Sequence, residues 1–173
     1  MDILISSNLE RLLYFAAGPE RTAAYMNSLN KDGVYSVDTD VKAAIDASFK
    51  GYFADEAKTA ETIRTTMSKY QYLADTHTAV AISAAEQYMA ETGDVKPMVI
   101  ASTASPYKFA ADVYESLYSE RPSDPLDALE DLSAKTATEI PYPLRGIKDR
   151  SVRFTDVVDS ADMWKAVINY VEQ

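Results

Sequence analysis

Cysteine is absent from the 173 residues, and histidine and glycine are scarce. Without cysteine, the chain has no disulfide, no thiolate nucleophile and no zinc ribbon. His77 is the only histidine, which excludes a His-rich metal site and a metalloprotease helix. The five glycines are isolated from one another: Gly18, Gly33, Gly51, Gly93 and Gly146. We therefore predict neither a metal site nor a glycine-rich loop that wraps a phosphate.

Positive charge is also in short supply, with 17 Lys and Arg against 27 Asp and Glu and a net charge of -10. Nucleic-acid binding needs clustered Lys and Arg to neutralise phosphates, so the charge argues against it. No stretch approaches the roughly 20 apolar residues of a membrane span. The first residues lack the basic start and long apolar run of a signal peptide. The composition, 47% apolar and 25% charged, therefore predicts a cytoplasmic globular protein without a membrane or nucleic-acid partner.

Apolar periodicity predicts mainly helices, with apolar strands at residues 3–5 and 97–101 and a short edge strand at 34–37. Two or three short, separated strands cannot make a stable sheet alone. We therefore predict a helix-rich α/β protein that holds only a few strands of a larger parent sheet. Residues 1–173 are expected to form a single partial domain, with residues 120–173 as a C-terminal extension packed on it.

A run of small hydroxyl residues, Ser-Thr-Ala-Ser, follows the strand predicted at 97–101. Ser105 before Pro106 is typical of a helix start, with serine as the cap and proline in the first helical position. That capping role does not account for Ser102 and Thr103. Both are predicted to lie at the carboxyl end of the strand, where ligands bind in open α/β sheets.

Three segments of the sequence resemble, in the same order, three blocks in the C-terminal part of threonine synthases. They are MDILISSNLERLL at the start, DTHTAVA at 75–81 and ASTASPYKF at 101–109. Threonine synthases are pyridoxal-phosphate (PLP) enzymes of the fold-type II group, related to tryptophan synthase β and cysteine synthase. They convert O-phospho-L-homoserine and water into L-threonine and phosphate. The resemblance implies the C-terminal portion of that fold.

The resemblance also implies site residues. In fold-type II enzymes a Ser or Thr hydroxyl at this strand end bonds the pyridine nitrogen of the cofactor, which implies Thr103, with Ser102 as the second candidate. Asn8 and Arg11 resemble the family's Asn-x-x-Arg pair, which implies contacts to the substrate. The alternative is that Asn8 only caps a helix and Arg11 is a solvated charge. His77 follows Thr76 where the family usually has proline, and a structural role for this histidine stays open beside a catalytic one.

The resemblance covers no segment with the family's catalytic lysine or phosphate-binding loop, both of which belong to the N-terminal half. Lys108 follows a helix cap and is expected on the helix surface. We therefore expect no catalytic residue in this chain, which alone would be inactive. Its partners would be O-phospho-L-homoserine, the missing N-terminal half and, through exposed apolar faces, other copies of itself. The alternative is a non-catalytic helical interaction or oligomerisation module.

Overall fold

The computed structural model describes residues 5–172. Contacts divide the chain into two units, one up to Glu139 and one from Ile140. The helices of the first unit are α1 (Ser7–Ala17), α2 (Pro19–Asp32), α3 (Thr39–Asp46), α4 (Glu56–Tyr70), α5 (Thr76–Thr92), α6 (Ala110–Tyr118) and α7 (Asp127–Thr136). A 3-10 turn, Pro106–Phe109, leads directly into α6. The helix-rich character predicted from periodicity is confirmed.

Helices α1, α2 and α3 enclose a small core. One apolar side chain from each helix is fully or nearly buried there: Leu13, Tyr25 and Val41. The hydroxyl of Tyr25 donates to Asp38 Oδ2 at 2.7 Å, and this bond raises the pKa of Tyr25. Arg21 pairs with Asp40 at 2.8 Å, and its hydrogen bond lowers the pKa of that carboxyl group. These polar contacts join the second helix to the start of the third.

Helix α4 packs against α5 and α6, and α6 packs against α7. Ile63, Val113 and Leu132, one from each of α4, α6 and α7, are fully buried. The buried face of α4 also carries threonines, and Thr59 and Thr62 donate their hydroxyls to carbonyl groups one turn back in the same chain. Those intrahelical bonds satisfy polar groups that would otherwise be costly to bury.

Capping residues set the helix ends, as the sequence predicts at several positions. Asp55 caps α4 by accepting from the Lys58 amide at 2.7 Å. Gly93 ends α5 with a positive φ of 69°, a backbone conformation in which glycine avoids a Cβ clash. Ser105 accepts from the Tyr107 amide, with Pro106 in the first position of the 3-10 turn. The cap of α1 is Ser6, one residue before the serine that the Ser7–Glu10 spacing would indicate.

The predicted strands are wrong where the structure describes them: residues 34–37 and 97–101 run outside helices but form no strand within residues 5–172. Of the strand predicted at 3–5, residues 3 and 4 lie outside the described residues. A strand needs hydrogen-bonded pairing with a neighbour, and the described part of the chain offers 97–101 none. Val99 is 97% exposed. The apolar residues that favour a strand here therefore have no neighbouring strand to pair with among the described residues.

Within its described residues, 140–172, the second unit contains three short 3-10 turns and one helix, α8 (Met163–Val171). Phe154 and Tyr170 contact each other edge to face, with ring centroids 6.0 Å apart. The apolar residues of α8, which include Trp164 and Val167, are exposed. Across the described residues of both units, no helix is long and apolar enough to cross a membrane.

Candidate functional site

The segment around Ser102 meets the beginning of α5. Ser102 Oγ lies 3.1 Å from the Tyr72 hydroxyl, which donates to it, and 3.1 Å from Thr78 Oγ1. Tyr72 lies in the connection that follows α4, whereas Thr78 is in the first turn of α5. Side-chain hydroxyls therefore tie three separate parts of the chain together at this point.

Asp75 lies behind these hydroxyls and is 1% exposed. Its Oδ1 accepts from the backbone amides of His77 at 2.8 Å and Thr78 at 3.2 Å, which makes it the N-cap of α5. Its Oδ2 accepts a short hydrogen bond from the Thr78 hydroxyl. One carboxylate therefore both starts the helix and fixes the side chain that reaches Ser102.

His77 lies at the edge of this network. Its Nδ1 is 3.4 Å from Asp75 Oδ1 and is buried without a hydrogen-bond partner among the described residues. The ring packs against Phe109, with centroids 4.9 Å apart. Thr76, found where the resemblance expects proline, occupies the first position of α5. An amide there has no acceptor inside the helix, so threonine replaces proline without losing an intrahelical bond.

Thr103 is exposed beside Ser102. Among the described residues, no hydrogen bond engages its hydroxyl, in contrast to that of Ser102. Downstream, Tyr107 is 4% exposed, and its hydroxyl donates to the Thr138 carbonyl at 2.9 Å, which anchors the turn that leaves the site. Ala101 and Ala104 flank the two hydroxyl residues, so only small side chains surround them in the sequence.

The hydroxyl pair is exposed and lines neither of two neighbouring cavities. A cavity of about 640 Å³ between α4, α5 and α6 is lined by Thr76 and Phe109 but not by Ser102 or Thr103. A second cavity, of about 540 Å³, lies along α5 and is lined by residues 98–101, which end just before the pair. Within residues 5–172, no cluster of acidic and histidine side chains could hold a metal ion.

The candidate substrate residues, Asn8 and Arg11, lie on the first turns of α1 and are exposed. Arg11 Nη2 donates to Asn8 Oδ1 at 3.3 Å. A guanidinium has more donors than one amide oxygen can use, so Arg11 keeps the capacity to bind an anion. No hydrogen bond among the described residues links this pair to Ser102 or Thr103.

Lys108 lies on the helix surface, as expected. Its side chain extends over the ring of Phe109, with Nζ 5.3 Å from the centroid. Sequence reasoning missed Tyr72 and Thr78 as partners of Ser102, and Asp75 as the acceptor that holds Thr78. The spacing of Asp75 and Thr78, three residues apart at a helix start, is a capping signal that could have indicated their bond. Nothing in the sequence around Tyr72 indicates its contact.

The described residues form a helical scaffold that carries the exposed pair Ser102 and Thr103 on its surface. A family model described as "Threonine synthase, C-terminal" matches residues 78–170. The chain belongs to the threonine synthase family. Ser102 and Thr103 fall inside the matched region, whereas Asn8 and Arg11 precede it.

Curated relatives and solved structures agree with this family. The chain is 34% identical to the threonine synthase of Saccharomyces cerevisiae over 133 aligned positions, and the match covers 68% of this chain and 26% of that protein. It is 30% identical to the threonine synthase of Pseudomonas aeruginosa over 127 residues, 72% of this chain and 27% of that protein. The chain therefore spans about a quarter of the length of these relatives.

Among solved structures, the PLP-bound threonine synthase of Brucella melitensis matches with a TM-score of 0.71 and 27% identity. This match covers 98% of this chain and 33% of that one. Yeast threonine synthase matches with a TM-score of 0.71 and 26% identity, covering 100% of this chain and 35% of the other. The arrangement of helices described above is thus found within a larger enzyme.

The two N-terminal aspartates of α4 and α5 give a direct stability test. Asp55→Ala removes an exposed cap and is expected to cost about 1 kcal/mol. Asp75→Ala removes a buried cap and leaves the Thr78 hydroxyl without its acceptor, so we expect a loss of about 3 kcal/mol. Urea unfolding of the two variants measures the difference, and equal losses would contradict the central position given to Asp75.

Proposed function

We propose that this chain is the C-terminal part of a threonine synthase that converts O-phospho-L-homoserine and water into L-threonine and phosphate with PLP. The rest of the protein would supply the catalytic lysine, the phosphate-binding loop and the strands of a fold-type II sheet, in which residues 97–101 would pair. As a lyase of amino-acid biosynthesis it would act in the cytoplasm, and this chain alone would be inactive. The observation that carries the proposal is the exposed Ser102–Thr103 pair in a chain of this family.

The residues of this face fit a pyridine ring. A pyridine nitrogen that carries no proton accepts one hydrogen bond, and the Thr103 hydroxyl has a proton to donate and no intramolecular acceptor within the described chain. Ala101 and Ala104 beside the pair have no side chain large enough to obstruct a flat ring. Gly93 ends a helix, and we assign the binding of the cofactor phosphate to the rest of the protein.

The cofactor, when bound, would supply an electron sink for removal of the α-proton and then a β-proton of the substrate. The proposed task of Thr103 is to orient the ring by donating to its nitrogen. A carboxylate at that place would keep the nitrogen protonated and strengthen the sink, whereas a hydroxyl holds it less firmly. Asp75, the carboxylate of the neighbouring hydroxyl network, is buried and engaged in capping α5.

Asn8 and Arg11 are proposed to bind the anionic groups of the substrate. Both lie at the N-terminal end of α1, where unpaired amide groups favour negative charge. Their mutual bond at 3.3 Å orients the guanidinium before the substrate arrives. O-phospho-L-homoserine carries a phosphate and a carboxylate, both of which match a guanidinium in charge and geometry.

The alternative of an interaction or oligomerisation module has one observation in its favour. Val95, Met98 and Val99 are exposed apolar residues in one stretch, and such residues favour burial against another surface. In a threonine synthase the rest of the protein would cover them, while in a module a second copy or another partner would. The cofactor experiment below separates the two because only the enzyme requires Thr103 to touch a ligand.

Thr103→Val in the whole protein is expected to weaken PLP binding on the order of tenfold and to lower turnover, because the substitution removes one hydrogen bond and keeps the shape. Thr103→Ser retains the hydroxyl and should bind nearly as the unaltered protein does. Thr92→Val is the control, since the Thr92 hydroxyl donates to the Tyr88 carbonyl at the exposed far end of α5. Cofactor titration by absorbance and turnover assays provide the measurement. Unchanged affinity and turnover in Thr103→Val would refute the pyridine contact.

Arg11→Gln is expected to raise the KM for O-phospho-L-homoserine about 10- to 100-fold, because charged hydrogen bonds to an anion are lost. PLP affinity should stay unchanged, since Arg11 is assigned to substrate alone. Lys31→Gln removes the same charge from the exposed last turn of α2 and serves as the matched control. Equal KM values for the Arg11 and Lys31 variants would show that Arg11 is a solvated surface charge.

A further inference from the structure

Four polar side chains form one continuous row behind the exposed face: Tyr72, Ser102, Thr78 and Asp75. The distances along the row are 3.1 Å from Tyr72 to Ser102 and 3.1 Å from Ser102 to Thr78, followed by the short bond to Asp75. The row becomes more buried along its length, since Tyr72 and Ser102 are exposed, Thr78 is 3% exposed and Asp75 is 1% exposed.

The Thr78 hydroxyl connects the buried end of this row to the exposed end. It donates a short bond to Asp75 Oδ2, and its Oγ1 is also in hydrogen-bond contact with Ser102 Oγ. Ser102 Oγ accepts in addition from the Tyr72 hydroxyl.

Ser102 and Thr103 consequently differ in what they can offer a ligand. Ser102 Oγ is engaged by two hydroxyls of the protein, those of Tyr72 and Thr78. The Thr103 hydroxyl has no such engagement among the described residues. Of the two adjacent residues, Ser102 is bonded to the protein, and Thr103 is available to bond a ligand.

We propose that Asp75 and Thr78 are positioning residues, which hold Ser102 inward through this hydroxyl row and thereby present the Thr103 hydroxyl to the ligand. This inference rests on the proposed function, in which the ligand is the pyridine ring of PLP. It assigns no contact with the cofactor to Asp75, Thr78 or Ser102. The backbone between residues 101 and 104 is held from one side by the row.

The decisive variants are Thr78→Val and Thr78→Ser in the whole protein. Valine keeps the shape but cannot bond Ser102 or Asp75, so PLP binding should weaken about 2- to 10-fold. Serine restores the hydroxyl and should bind within about twofold of the unaltered protein. Thr62→Val is the matched control, because Thr62 is also 3% exposed and its hydroxyl bonds only its own helix, at the Lys58 carbonyl.

A second measurement needs no cofactor. Hydrogen exchange of the whole apoprotein, followed on peptides that cover residues 98–106, should be faster in Thr78→Val than in Thr78→Ser or Thr62→Val. Faster exchange in Thr78→Val alone supports the positioning role. The same exchange in all three variants, or Thr78→Ser behaving like Thr78→Val, overturns it, because the hydroxyl would then be irrelevant.

The two proposals fail in distinguishable ways. If the unaltered whole protein does not bind PLP, the proposed function fails, and the exchange measurement still decides whether the row holds residues 101–104. If Thr103→Val weakens PLP binding while Thr78→Val binds as Thr62→Val does, the proposed function stands and the positioning role is wrong.

Discussion

The buried carboxylate of Asp75 is the contact on which this part of the protein depends. It accepts hydrogen bonds from two backbone amides and one hydroxyl, so the same group caps α5 and holds the Thr78 hydroxyl that also contacts Ser102. Burying a carboxylate without hydrogen-bond donors would be costly. The three donors recorded for Asp75 all belong to the first turn of α5. The start of α5 and the position of the Ser102 side chain therefore depend on the same carboxylate.

The rest of the first unit keeps that contact in place. Helix α5 packs on α4, and α4 packs on α6, with Ile63 and Val113 fully buried. In the segment that precedes Ser102, the apolar side chain of Val99 is exposed and not packed against the described residues. This chain matches its relatives along about a quarter of their length. A protein of that full length has further residues that could cover the exposed face.

The ends of several helices can be predicted from the sequence because capping residues mark them. Asp55, Gly93 and Ser105 act locally, within a few residues, and a local signal can be read from the sequence. The strand at 97–101 could not be predicted correctly for this chain, because pairing depends on residues distant in sequence. The candidate site was predictable to the same extent. Ser102 and Thr103 can be recognised in the sequence as small hydroxyl residues after an apolar run. The contact of Tyr72 with Ser102 joins residues 30 positions apart, so no local pattern indicates it.

The most direct test of the account is a crystal structure of the whole protein with PLP bound. The account predicts that Thr103 Oγ1 lies within about 3 Å of the pyridine nitrogen, with Ser102 still bonded to Thr78 and not to the ring. A pyridine nitrogen that faces a carboxylate, or a Thr103 side chain that points away from the cofactor, would contradict it.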